Sequence, residues 1–187
     1  NFFTSSTIVY AENSGSWINE LSPLSDENFR ARTMRKAEEI ALELAPSPII
    51  ARVSAIYGPE RHRLLDKVRS QQHFPAKNPI YSNRIYITDL VCALEHLIHV
   101  QQGEQIFNIT DQSPTPINTI LSWLAAKEGT QLPKAEEITE VDLNRVKNRK
   151  ISCEKLLSSG FSHQFVSFKQ GFNHIFKLEQ GNRQIDY

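Results

Sequence analysis

Apolar and polar positions follow two periods along this chain, and the points where the period changes mark its elements. Residues 1–10 alternate and then run apolar into Ile8-Val9-Tyr10, which predicts a strand leaving a sheet. Residues 11–23 are polar and carry Asn13, Ser14 and Gly15 as turn formers, so they read as a loop. Ser25-Asp26-Glu27 supplies N-cap chemistry, and Met34, Ala37, Ile40, Ala41 and Leu44 recur at helical spacing until Pro46 and Pro48 end the helix. Residues 49–53 are rich in β-formers, and Ile56-Tyr57-Gly58-Pro59 follows as strand exit and turn. A helix with a strand on either side is the signature of a parallel sheet.

The same reading predicts a helix over 60–70, irregular chain over 73–83, and a short strand over 85–87. It continues with a helix over 89–100 capped by Thr88 or Asp89, a strand over 105–109, and a helix over 116–127 ended near Gly129. A short helix over 152–158 closed by Gly160 and an amphipathic helix over 168–178 complete the chain. The chain opens with Asn1, and Phe2-Phe3-Thr4 reads as the middle of a buried strand. Residues ahead of Asn1 are therefore expected in a longer parent protein.

Composition narrows the classes. With 40% hydrophobic and 22% charged residues over 187 positions, the chain can bury a core. Its 21 basic and 21 acidic side chains cancel, which leaves none of the basic field that a nucleic-acid binder needs. Short runs such as Lys147-Asn148-Arg149-Lys150 belong to no basic stripe and read as solvated faces. No apolar stretch approaches the roughly 20 residues that span a bilayer, and no signal peptide opens the chain. Cys92 and Cys153 lack metal-type spacing; Cys92, inside an apolar run, reads as a buried free thiol, and no metal site is expected. This usage fits a cytoplasmic protein.

Five segments, in order and nearly spanning the chain, resemble motifs of the NAD-dependent epimerase/dehydratase (extended short-chain dehydrogenase) family. Thr4-Ser5-Ser6-Thr7-Ile8-Val9-Tyr10 resembles S-S-x-x-V-Y-G, with Ala11 in place of the glycine. Residues 52–59 resemble L-R-x-x-N-V-Y-G-P, and residues 84–90 resemble R-I-H-V-D-D-L. Phe107-Asn108-Ile109-Thr110-Asp111 resembles Y-N-V-x-D, and Asn148-Arg149-Lys150-Ile151-Ser152 with Leu156 to Gly160 resembles a late N-K-R-x-S…L-G element. The resemblance implies the C-terminal part of a doubly wound, Rossmann-like α/β parallel sheet with a small α/β substrate-side lobe. Residues 1–76 would belong to the NAD(P)-binding domain. Residues 77–187 would form mainly the substrate lobe, interleaved with the sheet.

Activity, by resemblance, is that of an NAD(P)-dependent epimerase or dehydratase on a nucleotide-linked sugar. In such enzymes a Tyr exchanges a proton with the substrate, a Lys lowers its pKa, and a Ser or Thr bonds the reacting oxygen. Ser6 stands at the hydroxyl position; its other reading is a strand-end hydroxyl bonded to its own backbone. Anchored on Ala37-Glu38, the family's Y-x-x-x-K-x-x-A-E pattern puts Arg30 at the Tyr and Met34 at the Lys. A register shifted by two residues would retain Lys36. No tyrosine lies between Tyr10 and Tyr57, and an arginine cannot shuttle protons near neutrality. A nucleotide-binding or regulatory protein without the redox step is therefore the second reading, and a structural remnant the third.

Val53, Ser54 and Ala55 would line the nicotinamide end, with Ala55 replacing the family's asparagine. Arg84, Arg61, His62 and Arg63 are candidates for the pyrophosphate of the nucleotide sugar, or else solvated surface. None of the seven glycines pairs into the phosphate-binding turn of the fold. NAD or NADP is accordingly expected in the full-length parent, with no tight binding by this chain alone. A homodimer through the helix over 26–45 is also implied.

Overall fold

The computed structural model describes residues 1–44, 46–71, 79–100, 105–132 and 147–183. Its centre is a parallel three-stranded sheet of β1 (Phe2–Ser6), β3 (Ile49–Val53) and β7 (Gln105–Ile109), in the order β1-β3-β7. The helix α1 (Phe29–Leu44) connects β1 to β3. All five residues of β3 are buried, as a central strand covered on both faces must be. Period-two alternation divides them. Ile49, Ala51 and Val53 pack with Phe107 and Ile109 against Leu90, Ala93 and Leu97 of α3 (Ile87–His99), and against Leu156 of α5 (Glu154–Ser158). Arg52 points to the opposite face, toward Glu38 of α1.

A second apolar cluster joins β4 (Ala55–Tyr57) and β6 (Arg84–Tyr86) to α2 (Arg63–Arg69), α4 (Ile117–Glu128) and α6 (Phe168–Arg183). Tyr57, Leu65, Ile120, Leu121, Leu124 and Phe172 are nearly fully buried there, and each such side chain contributes about 1.5–3 kcal/mol of burial. Tyr57 stacks edge-on against Tyr86 at 5.3 Å between ring centres. Two small ladders tie the loops: β2 (Trp17–Ile18) pairs with β9 (Lys150–Ile151), and β5 (Tyr81–Ser82) with β8 (Thr115–Pro116).

Most predicted elements form within a residue or two of their expected bounds, and the departures have local causes. The cap of α1 is Asn28, whose Oδ1 accepts from the Ala31 amide at 2.8 Å. Ser25 instead spends its hydroxyl on the Glu27 amide. α2 starts at Arg63 rather than 60, because Gly58 and Arg61 first close a tight turn through reciprocal backbone bonds. α3 begins at Ile87 without a side-chain cap; Asp89 accepts from the amides of Gln164 and Phe165 and so anchors a distant loop. The apolar stripe of α1 is only half covered, since Ile40 and Leu44 are exposed. Cys153 is the buried thiol and Cys92 only half-buried, and both are free. Residues 73–78 of the expected irregular stretch, and the expected domain boundary at 76–77, lie outside the described residues. No helix among the described residues is long and apolar enough to cross a membrane.

Candidate functional site

The register of α1 is set from within. Glu38 accepts from Arg52 Nε at 3.0 Å and Nη2 at 2.7 Å, and also from the Ser5 hydroxyl. Arg52 Nη1 reaches the Tyr10 hydroxyl at 3.2 Å, and that hydroxyl donates to Asn108 at 2.6 Å. Arg149 closes the network by donating to the Tyr10 carbonyl at 2.6 Å. These side chains are buried, so each needs the partners it has. Sequence reasoning missed this network, although a charged residue at the fourth place of the apolar run Ile49-Ile50-Ala51-Arg52-Val53 signals a buried counterion.

With Glu38 facing the sheet, Met34 one turn earlier packs beside Val9, Tyr10, Ile18 and Ile151 near the end of β1. Arg30 is exposed, and Lys36 is exposed in an ion pair with Glu39. Ser6 Oγ accepts from the Ile8 amide at 3.3 Å, capping the turn that follows β1. Three tyrosines, Tyr10, Tyr57 and Tyr86, are built into the core. Burial raises the pKa of Tyr10 against the opposing Arg52 bond; Tyr86 bonds His174 at 2.8 Å. Tyr57 is buried against Gly171, its hydroxyl has no partner among the described residues, and burial pushes its pKa far above the usual phenol value.

The carboxyl end of β3 leads into a cavity. Val53 is buried, and Ser54 holds its amide on the Ile109 carbonyl while its buried hydroxyl has no hydrogen-bond partner among the described residues. Ala55 is exposed and pairs directly with Arg84 across the β4–β6 ladder. The turn at Gly58 folds Arg61 back so that its Nε donates to the Ile56 carbonyl at 3.3 Å. Arg61, Arg63, Lys67 and Arg84 thereby line one cavity of about 270 Å³ with Ala55 and Ile56. His62, grouped with these arginines in the sequence, does not line it; its ring bonds Asp66 at 2.8 Å on α2. Lys67 is the addition that sequence reading did not single out, although it stands one helical turn after Arg63. Among the described residues no group of His, Cys, Asp and Glu could hold a metal ion.

No protein-family model and no curated protein sequence matches the chain. Solved structures do share its fold. A functionally unknown conserved protein from Silicibacter pomeroyi superposes with a TM-score of 0.85 at 20% identity, over 94% of this chain and 65% of that one. A protein of Methylobacillus flagellatus assigned as an NAD-dependent epimerase/dehydratase gives 0.81 at 29% identity, over 96% and 64%. The dTDP-glucose 4,6-dehydratase of Bacillus anthracis, solved in complex with NAD, gives 0.78 at 18% identity, over 98% and 62%. The family resemblance read from the motifs thus holds in three dimensions, as does the Rossmann-like α/β class. The chain spans less than two thirds of each of these proteins.

Proposed function

We propose that this chain is the substrate-side part of a longer NAD(P)-dependent epimerase/dehydratase-like protein that binds a nucleotide-linked sugar. The observation that carries the reading is the convergence at the carboxyl end of β3. There an orphaned Ser54 hydroxyl leads, through Ala55, straight into a cavity lined by cationic side chains. In open parallel sheets this end is where ligands bind. The residues present fit the nicotinamide end of the cofactor in part: Ser54 offers a buried hydroxyl with no hydrogen-bond partner among the described residues, and the adjacent Ala55 is small and exposed, whereas Val53 packs into the core. NAD or NADP, once bound, supplies hydride transfer; the contribution of this chain is to seat and orient the substrate. Ser6, with a lone pair beyond the one it gives Ile8, can accept or donate one further bond toward a substrate oxygen.

A second reading, nucleotide binding without redox turnover, is favoured by the Glu38–Arg52 register. It supports Arg30 and Met34, not Lys36, as the residues at the positions of the proton-shuttling pair. The two readings separate in the longer protein, assayed for cofactor reduction with a panel of nucleotide sugars beside an Arg30→Tyr/Met34→Lys variant. Turnover by the unaltered protein removes the second reading, whereas cofactor binding without turnover, rescued in the variant, removes the first. Free thiols at Cys92 and Cys153 support a cytoplasmic setting. The exposed Phe29, Ile40 and Leu44 of α1 support a homodimer through that helix.

A further inference from the structure

Trp17 is 60% exposed on the short β2–β9 ladder, although indoles in folded chains are mostly buried. The chain around it is held in place by bonds on several sides. Ser152 donates its amide to the Ile18 carbonyl at 2.9 Å, and the Asn19 amide donates to the Ser22 hydroxyl at 3.0 Å to close a turn. Glu20 ties that turn to β7 by accepting from the Asn108 amide at 2.8 Å. The indole lines a cavity of about 370 Å³ with Ile18, Asn19, Ser22, Ser152 and Glu154, and none of these residues lines the cationic cavity at the end of β3. Its polar groups keep bonding capacity. Asn19 uses its Oδ1 on the Leu21 amide at 3.0 Å, so its Nδ2 is left to donate. The Ser152 hydroxyl accepts from the Glu154 amide at 3.2 Å, so its proton is left to donate as well. Glu154 is exposed, and its carboxylate pairs with no cation among the described residues.

Charge narrows the ligand. Lys150 Nζ lies 5.7 Å from the centre of the Trp17 ring, so a cation brought onto the indole would meet a like charge. An anion would meet Glu154, with no basic side chain lining the cavity to offset it. What remains is a neutral molecule with an apolar face for the indole and an edge of hydroxyls for the polar groups. We propose that this cavity binds a neutral pyranose sugar, stacked on Trp17 and held through adjacent ring hydroxyls by Glu154, Asn19 and Ser152. A pyranose turns its C–H face to an aromatic ring, and its neighbouring hydroxyls donate together to the two oxygens of one carboxylate. A volume of about 370 Å³ is in the range of small-molecule sites and suits a single sugar ring with its mouth open to solvent. The sugar needs no phosphate here, so the proposal goes beyond the nucleotide-sugar reading and does not rest on it.

The test is titration of the 187-residue chain with the methyl glycosides of glucose, galactose and mannose, followed by calorimetry and by tryptophan fluorescence. The chain has two tryptophans, and Trp123 packs against an apolar cluster, so Trp17 is the one whose emission a sugar in this cavity changes. At least one glycoside is expected to bind saturably at millimolar concentration, with the same affinity at low and high salt because the ligand is neutral. Trp17→Phe should remove the fluorescence change and keep the calorimetric affinity within a few-fold, since a phenyl ring still stacks, whereas Trp17→Ala should abolish binding. Glu154→Gln should weaken it about fivefold, the difference between a charge-assisted and a neutral hydrogen bond. Both side chains are exposed, so the variants should melt as the parent does; should Trp17→Ala melt lower, Glu154→Gln decides. No saturation by any of the three glycosides, or binding that neither Trp17→Ala nor Glu154→Gln alters, overturns the site. Tighter binding of uridine or of tetramethylammonium than of every glycoside overturns the sugar as its ligand. None of these sugars carries phosphate, so failure here leaves the nucleotide-sugar reading standing.

Discussion

Replacing Glu38 by alanine perturbs a buried polar knot that holds α1 against the sheet. Arg52 and Glu38 are 3% and 5% exposed at their side chains, so neither is solvated once its partner goes. The change removes two hydrogen bonds from Arg52 and one from Ser5, and it leaves the guanidinium with only the Tyr10 hydroxyl at 3.2 Å and the Glu20 carbonyl at 3.4 Å. Breaking a buried pair in this way costs about 3–5 kcal/mol. A domain of this kind has about 5–15 kcal/mol in all, so the variant should stand near the edge of folding. The double variant Glu38→Leu/Arg52→Met removes both charges and should cost less than either single change to alanine. Urea unfolding followed by circular dichroism measures these differences, provided the slope with urea stays constant across the set. A cost below about 1 kcal/mol for Glu38→Ala, or a double variant that is simply the sum of its parts, would refute the assignment of the α1 register to this pair.

Two further changes test the core below the cavity. Tyr57→Phe removes a buried hydroxyl that has no partner among the described residues and should stabilise the chain by about 1 kcal/mol, read as a higher urea midpoint; a loss instead would contradict the unpartnered hydroxyl. Asp111 holds its proton more tightly folded than unfolded, its folded pKa being raised to about 8 by burial. The folded state therefore carries the extra proton between the usual carboxylate range and pH 8, and stability should fall as pH rises through that window. Asp111→Asn should flatten that decline in thermal melts taken from pH 5 to 9; an unchanged slope contradicts the buried neutral acid.

The hydrophobic periods made the elements legible because each strand and helix here buries a face of matching period: Ile49–Val53 and Gln105–Ile109 form as read. Where a side chain answers to a distant partner, local reading fails. Asp89 looks like a cap from its neighbours but bonds Gln164 and Phe165, more than seventy residues on. Ser25 looks like a cap, yet its own turn uses the hydroxyl first. In the candidate site, Arg61, Arg63 and Arg84 are visible in the sequence as residue types. Their meeting depended on the Gly58–Arg61 turn and the parallel Ala55–Arg84 pairing, which no local pattern encodes. His62 failed for the converse reason, because Asp66 one turn later captures its ring.

The most direct test of the central claim, that the carboxyl end of β3 and its cationic cavity receive a nucleotide-linked sugar, is a backbone amide NMR titration of the chain with UDP-glucose. The predicted result is saturable shifts concentrated at Ser54, Ala55, Ile56, Arg63 and Arg84. Shifts confined to the separate cavity around Arg69, Lys127 and Lys177, or none at millimolar ligand, would contradict it.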